Sequence, residues 1–146
     1  METTGEINTQ VAAIEAELLQ YKQIEFPLKH LFAPGVYVRE ITMPRGEHGT
    51  LVIGHEHKTE HFNIVLTGKA IVLCGEELHY ITAPSVFVSK AGVRKVLIIL
   101  EDMRWVTVHP TDETDLKKLE ELLVVKTAAA LSYEERKLLE DKGLLT

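Results

Sequence analysis

The sequence predicts a mainly β protein, either a sandwich, a jelly roll or a small barrel, with helices at both ends. Between residues 27 and 110, short runs rich in β-branched residues alternate with turns at glycine, proline and charged residues. No helical periodicity interrupts these runs, whereas apolar residues recur at helical spacing on either side of them. Many short strands without interleaved helices are typical of these β architectures.

The N-terminal part of the chain predicts an amphipathic helix over residues 8–24, capped by Asn8 or Thr9. Its apolar stripe consists of Val11, Ile14, Leu18 and Tyr21, widened by Leu19. Two roles stay open for this helix. It either packs on its own domain or serves as a dimerisation arm.

Eight strands are predicted in the central region from β-branched runs between turn signals. They are Val36–Thr42, Gly49–His55, Phe62–Thr67, Lys69–Cys74, Glu77–Ile81, Val86–Val88, Arg94–Leu100 and Trp105–His109. Two of the breaks between them fall at Thr67-Gly68-Lys69 and at Glu101-Asp102.

The C-terminal part returns to helical spacing. A helix capped by Thr111 or Asp112 is predicted first, and a second one starts at the capping box Ser132-Tyr133-Glu134-Glu135 and ends before Gly143. The apolar face of the first helix consists of Leu116, Leu119, Leu122 and Leu123. We therefore divide the chain into an N-terminal helical extension (1–26), a β-barrel (27–110) and a C-terminal helical extension (111–146).

Composition bounds the possible partners and the compartment. A net charge of −6 argues against general binding to nucleic acid or to anionic membranes. The single cysteine, Cys74, forms no internal disulfide, which fits a reducing compartment. No secretory signal is visible at the N-terminus, so we expect a cytoplasmic protein.

Three histidines stand out in the segment 54–61. His55, His57 and His61 have the same parity, so an extended backbone directs all three side chains to one side. Neutral imidazole is the commonest protein ligand of transition metals, and three of them leave open positions for water or substrate. The spacing predicts a site for a divalent transition metal.

This pattern resembles the cupin superfamily, whose fold is a double-stranded β-helix (jelly-roll) barrel. His55 and His57 match the histidine pair of the first cupin motif, His61 occupies its acidic position, and Gly68 matches its closing glycine. The stretch 66–70 fits the hairpin that follows this motif in cupins. In the second motif, Lys95 stands where a ligand histidine is usual. The resemblance covers roughly residues 30–110.

The whole chain also resembles small cupin-like proteins of tailed bacteriophages. The segments that carry this resemblance are 32–37, 57–65 and 105–115. It implies a phage origin, with the host cytoplasm as the compartment, but implies little about the chemistry.

Site roles follow from the resemblance together with residue chemistry. His55, His57 and His61 are the predicted ligands of zinc, iron, nickel or manganese. Lys95 is the candidate catalytic acid or base, or an anchor for an anionic ligand near the metal. The other candidate ligand-binding residues are Arg39, Asn63 and Trp105, and Asn63 is a candidate to orient a ligand histidine. His109 is interpreted as a strand-end residue.

Several functions stay open at this point. The leading one is a small metal-binding cupin that takes a small anionic molecule in its barrel, with oxygenase- or isomerase-type turnover as an option. The alternatives are a non-catalytic phage protein that sequesters a host metabolite or nucleotide, and an oligomeric structural or interaction protein. A homodimer is expected, since many cupins cover their sheet edges by pairing two barrels.

Overall fold

The computed structural model describes residues 2–21, 23–47 and 49–125, and its strands form one seven-stranded sheet. The helices are α1 (Thr4–Leu18) and α2 (Leu116–Leu123). The strands are β1 (Leu28–Ala33), β2 (Val36–Met43), β3 (Thr50–Ile53), β4 (His61–Cys74), β5 (Glu77–Thr82), β6 (Ser85–Ser89) and β7 (Val96–Pro110). The prediction of a mainly β fold between terminal helices is confirmed.

Two long strands organise the sheet. β7 pairs with β2, β3 and β4, and β4 pairs in addition with β5 and β6. β1 extends the sheet beyond β2, and every pair is antiparallel. Because β4 and β7 each carry two sets of neighbours along their length, the sheet closes around a central core in the manner of a barrel.

β1 is a strand that the sequence pattern does not predict. It has no regular alternation of polar and apolar residues, and five of its six residues are exposed. It forms because the chain turns at Gly35, whose φ of 77° suits glycine, and then pairs β1 with β2 from Ala33–Val36 onward. Hairpin pairing, rather than burial of one face, accounts for this strand.

The expected break at Gly68 is a bulge inside one strand. β4 continues through this position, and its register with β7 shifts between Val65 and Ala70. Gly68 has a φ of 96°, and a Cβ there would lie 2.5 Å from the carbonyl oxygen of Asp102. The hairpin predicted for residues 66–70 is therefore wrong, and so is the break at residues 101–102, because both segments bend together and stay paired.

The first helix starts earlier than predicted. Thr3 caps α1 in a capping box with Glu6, whereas Asn8 lies inside the helix and bonds to the barrel. The Asn8 side chain accepts from the backbone N–H of Arg94 (2.8 Å) and donates to the carbonyl of Gly92 (2.7 Å). The helix thus packs on its own domain, one of the two roles left open by the sequence.

The second helix packs against β2. Asp115 caps α2 by accepting from two backbone N–H groups, in place of the predicted Thr111 or Asp112. Leu119 and Leu123 are buried against Tyr37, while Leu116 and Leu122 of the predicted apolar face are exposed. The helix predicted from residue 132 lies outside the described residues.

The main core lies beside the bulge of the β4–β7 pair. Its buried members are Met43, Val65, Ala70, Ile99 and Met103. Neither helix in the described part of the chain is long and apolar enough to span a membrane.

Candidate functional site

Three imidazole rings meet at one end of the β4–β7 pair. The ring centroids of His57 and His61 are 4.3 Å apart, those of His61 and His109 4.9 Å, and those of His57 and His109 6.1 Å. The antiparallel register at this end pairs Phe62 with Val108, so the next residues along the two strands, His61 and His109, become neighbours. We call His57, His61 and His109 the imidazole cluster.

The loop that carries His57 is held in place from two sides. The backbone N–H of Gly92 donates to the carbonyl oxygen of His57 at 3.0 Å. His57 also forms an isolated β-bridge with Val124, and the backbone N–H of Lys58 donates to the carbonyl oxygen of Leu123 at 2.8 Å. The end of α2 therefore helps to position the His57 ring.

The imidazole cluster differs in one member from the predicted metal ligands. His109, which the sequence analysis leaves out of the site, is 3% exposed and its Nε2 lies 3.1 Å from Thr107 Oγ1. The signal that could have found it is the strand register. Parity along one strand gives no information about which residues of a distant strand lie beside it.

His55 stands apart from the cluster. It lines the same cavity as His57, but its ring contacts no other ring among the described residues. Within residues 2–21, 23–47 and 49–125, no three histidine, cysteine, aspartate or glutamate side chains are arranged to hold a metal ion. The metal site at His55, His57 and His61 thus stays a prediction.

The imidazoles are held in the neutral form. Burial, followed by the charge of His61 and then Arg39, lowers the pKa of His57 to about 3. Burial, with the same two neighbours, lowers the pKa of His109 to about 4. The pKa values of His55 and His61 are also lowered, mainly by burial. At neutral pH these rings are therefore available as hydrogen-bonding partners or metal ligands.

Two basic residues of the predicted site line the cavity next to the imidazoles. Arg39, in the middle of β2, has a buried Nε without a hydrogen-bond partner, and burial lowers its pKa. Lys95 precedes β7, and its positive charge contributes to the lowered pKa of His61. Neither side chain forms an ion pair with another described residue.

Asn63 and Trp105 are joined to each other. The indole Nε1 of Trp105 donates to Asn63 Oδ1 at 2.9 Å, and Asn63 Nδ2 donates to Ser89 Oγ at 2.8 Å. Trp105 also meets Phe87 edge to face, with centroids 5.7 Å apart. The amide of Asn63 thus fixes the wall on which Trp105 lies, and its hydrogen bonds among the described residues include none to a histidine.

These side chains surround a cavity of about 610 Å³, here called the larger cavity. Most of its wall is apolar, with Ile41, Met43, Val72, Phe87, Leu97 and Trp105 among the lining residues. The end of α1 and the segment that follows it add Leu18, Leu19 and Ile24. The volume is in the usual range for a small-molecule site.

The fold is similar to that of solved cupin structures. A cupin superfamily protein from Desulfitobacterium hafniense aligns with a TM-score of 0.51 and 13% identity, over 66% of this chain and 87% of that one. A cupin-2 domain protein from Shewanella frigidimarina aligns with a TM-score of 0.48 and 13% identity, over 72% and 99%. The Cnp3 cupin domain from Schizosaccharomyces pombe aligns with a TM-score of 0.49 and 17% identity, over 71% and 70%.

The first of these similarities, together with the seven-stranded antiparallel sheet, gives the chain a cupin-type β-barrel fold. No protein-family model and no curated relative matches the sequence. At such low identity the similarity concerns the fold alone, so function must be argued from the site.

Proposed function

We propose that this chain is a small-molecule-binding cupin that takes an anionic molecule with an apolar body into its barrel. The observation that carries the proposal is the composition of the larger cavity. Its wall is mainly apolar, yet Arg39 and Lys95 line it without an ion pair to any described residue. An anionic head group supplies the missing partner, while the apolar body fills the rest of the cavity.

The head group is a carboxylate or a phosphate in this proposal. Lys95 Nζ offers three donors on a flexible stem, and the neutral ring of His57 offers one N–H, whereas His61 Nδ1 faces the carbonyl oxygen of Thr59 at 3.3 Å. Arg39 adds positive charge from β2. A hydrogen bond to a charged group contributes about 1.5–3 kcal/mol, so losing Lys95 weakens binding by roughly tenfold or more.

A calorimetric titration with two matched probes tests the proposal. Phenylbutyrate carries the carboxylate on an apolar body, and phenylbutanol keeps the body but lacks the charge. We expect the acid to bind at least about tenfold more tightly than the alcohol, and Lys95→Ala to remove most of that difference. Lys29→Ala is the control, since Lys29 is exposed on β1 and does not line the cavity. Equal affinities for acid and alcohol would contradict the proposal.

Metal-dependent turnover is the second candidate function. It is favoured by three neutral imidazole rings within 6.1 Å of one another, one of which, His109, has a buried Nδ1 without a partner. The described rings of His57, His61 and His109 are not arranged around a metal position, so they would have to reorient to hold a divalent ion. When bound, the ion would supply a Lewis acid or an oxygen-activating centre. Lys95 would hold or move a proton at its Nζ. The charge of Arg39, which lowers the pKa of all three rings, opposes a cation here.

Elemental analysis separates this candidate from metal-free binding. Tag-free protein is reconstituted with zinc, iron, nickel and manganese, and the metal content of wild type is compared with that of His57→Ala, His109→Ala and His55→Ala. Near-stoichiometric metal that survives only in His55→Ala assigns the ion to the imidazole cluster. If the bound metal is lost in His55→Ala but kept in His109→Ala, the ion belongs to the ligands predicted from the sequence, His55, His57 and His61. If the wild-type protein contains no metal after reconstitution, metal-dependent turnover is rejected.

The non-catalytic form of the proposal is a phage-type binding protein. In that form the protein sequesters a host metabolite or nucleotide in the host cytoplasm. Tight stoichiometric retention of ligand without its consumption is the expected behaviour. Metal-dependent consumption of the bound molecule would reject it.

A further inference from the structure

A second, smaller cavity lies behind the imidazole cluster, between the barrel and α2. Its volume is about 210 Å³. Arg39, His55 and His57 line both cavities, so these side chains lie between the two spaces. Glu120 of α2 lines only the smaller one, and Lys95 lines only the larger one.

Buried nitrogen atoms without hydrogen bonds concentrate at this smaller cavity. Among the described side chains there are three such atoms: Arg39 Nε, His55 Nδ1 and His109 Nδ1. All three residues line the smaller cavity. A buried polar group left unsatisfied costs about 1–3 kcal/mol. Arg39 Nε is a donor, and each histidine Nδ1 is a donor in the tautomer that carries its proton there, so three such atoms around one space call for a guest that accepts hydrogen bonds.

Arg39 also lacks a charge partner. Its guanidinium is not within ion-pair distance of any described carboxylate, although Glu120 lies near enough to act on it electrostatically. Water would satisfy the donors in the cavity but would leave this buried charge unpaired.

We propose that the smaller cavity is a separate binding site for a small oxyanion, of the size of formate or phosphate, held between Arg39 and the rings of His55 and His109. Such an ion accepts hydrogen bonds from the three orphaned nitrogens and pairs with the guanidinium, whose planar fork matches carboxylate and phosphate oxygens. The site shares Arg39 with the larger cavity, whereas its other partners, His55 and His109, have no part in the ligand proposed there.

The test is a calorimetric titration of the metal-free full chain with sodium formate or sodium phosphate, in a low-chloride zwitterionic buffer. Sodium gluconate at equal ionic strength is the reference. We expect saturable binding of formate or phosphate and none of gluconate. Arg39→Lys, which keeps the charge but loses Nε and the fork, should weaken binding at least tenfold. Arg45→Lys, a change at an exposed arginine that lines neither cavity, should not.

A second pair of variants works from the helix side and does not disturb the core. Glu120 is exposed and lines the smaller cavity, so Glu120→Gln removes a repelling carboxylate and should tighten oxyanion binding severalfold. Glu121→Gln, one position along α2 and lining neither cavity, is the matched control.

Three results would overturn the inference. The first is no saturable binding of either anion, and the second is unchanged affinity in Arg39→Lys. The third is binding that Lys95→Ala weakens and Glu120→Gln leaves unchanged, which places the anion in the larger cavity. That third result would support the proposed function while rejecting the second site, so the two failures are distinguishable.

Discussion

At the scale of single residues, Gly68 decides the course of the longest strand pair. Its φ of 96° and the 2.5 Å approach of the Asp102 carbonyl oxygen to a Cβ at this position leave no room for a side chain. We expect Gly68→Ala to lower the free energy of unfolding by roughly 2–4 kcal/mol, from backbone strain and steric overlap together.

The variant Gly92→Ala measures the cost of backbone strain without the steric overlap that is present at Gly68. Gly92 has nearly the same φ, 97°, but an added Cβ meets nothing within 4 Å. Urea unfolding of Gly92→Ala should show a loss of about 1–2 kcal/mol in the free energy of unfolding, because only the backbone strain contributes. Equal losses for the two alanine variants would contradict the account of the bulge.

The residues of the site are only partly predictable from the sequence. His57, His61, Arg39 and Lys95 all line the larger cavity, while the roles predicted for them stay predictions. His109 joins the cluster through the register of β4 with β7. The register between two strands depends on the whole sheet, so it cannot be predicted from the local sequence.

At the scale of elements, α1 is attached to the barrel by a buried ion pair. Arg94 Nη2 lies 2.7 Å from Glu15 Oε2, with side-chain exposures of 4% and 6%, and Arg94 Nε donates to the carbonyl of Gly54 at 2.9 Å. We expect Arg94→Met to cost about 3–5 kcal/mol of unfolding free energy, since it leaves Glu15 buried and unpaired.

A surface pair supplies the control for this prediction. Arg104 lies 2.7 Å from Glu40, but its side chain is 51% exposed, so Arg104→Met should cost no more than about 1 kcal/mol. Chemical unfolding measures both. The double variant Glu15→Leu/Arg94→Met should regain stability relative to Arg94→Met, and a further loss would contradict a pairing role.

The elements themselves were predicted unevenly, for physical reasons. β-branched runs located β2, β3, β5 and β6 to within a few residues, because local pattern and burial agree there. β4 and β7 were each divided in two, because turn-forming residues sit at bends where pairing continues. The buried Glu15 on α1 does not fit an apolar stripe, and only its partner Arg94 explains it.

At the scale of the whole molecule, β1 leaves one edge of the sheet open. Among the described strands it pairs only with β2, and it exposes Leu28, Leu31 and Phe32 by 50%, 48% and 43%. Open edges with apolar side chains associate readily, so the homodimer stays our prediction, with β1 at the contact. Light scattering at micromolar concentration checks it. Leu31→Lys should yield monomers, and a monomeric wild type would contradict it.

The barrel as a scaffold for assembly alone is the remaining alternative. It predicts that function survives loss of Lys95 but not loss of the dimer contact. The larger cavity argues for a ligand instead, since about 610 Å³ of mainly apolar space is lined by three cations, Arg39, Lys90 and Lys95, that pair with no described carboxylate.

The most direct test of the central claim is a crystal structure of the protein with bromophenylbutyrate, located by the anomalous signal of bromine. We expect the bromine among the apolar residues of the larger cavity and the carboxylate within hydrogen-bond distance of Lys95 or Arg39. A ligand bound only outside the barrel, or one whose carboxylate points away from both cations, would contradict the claim.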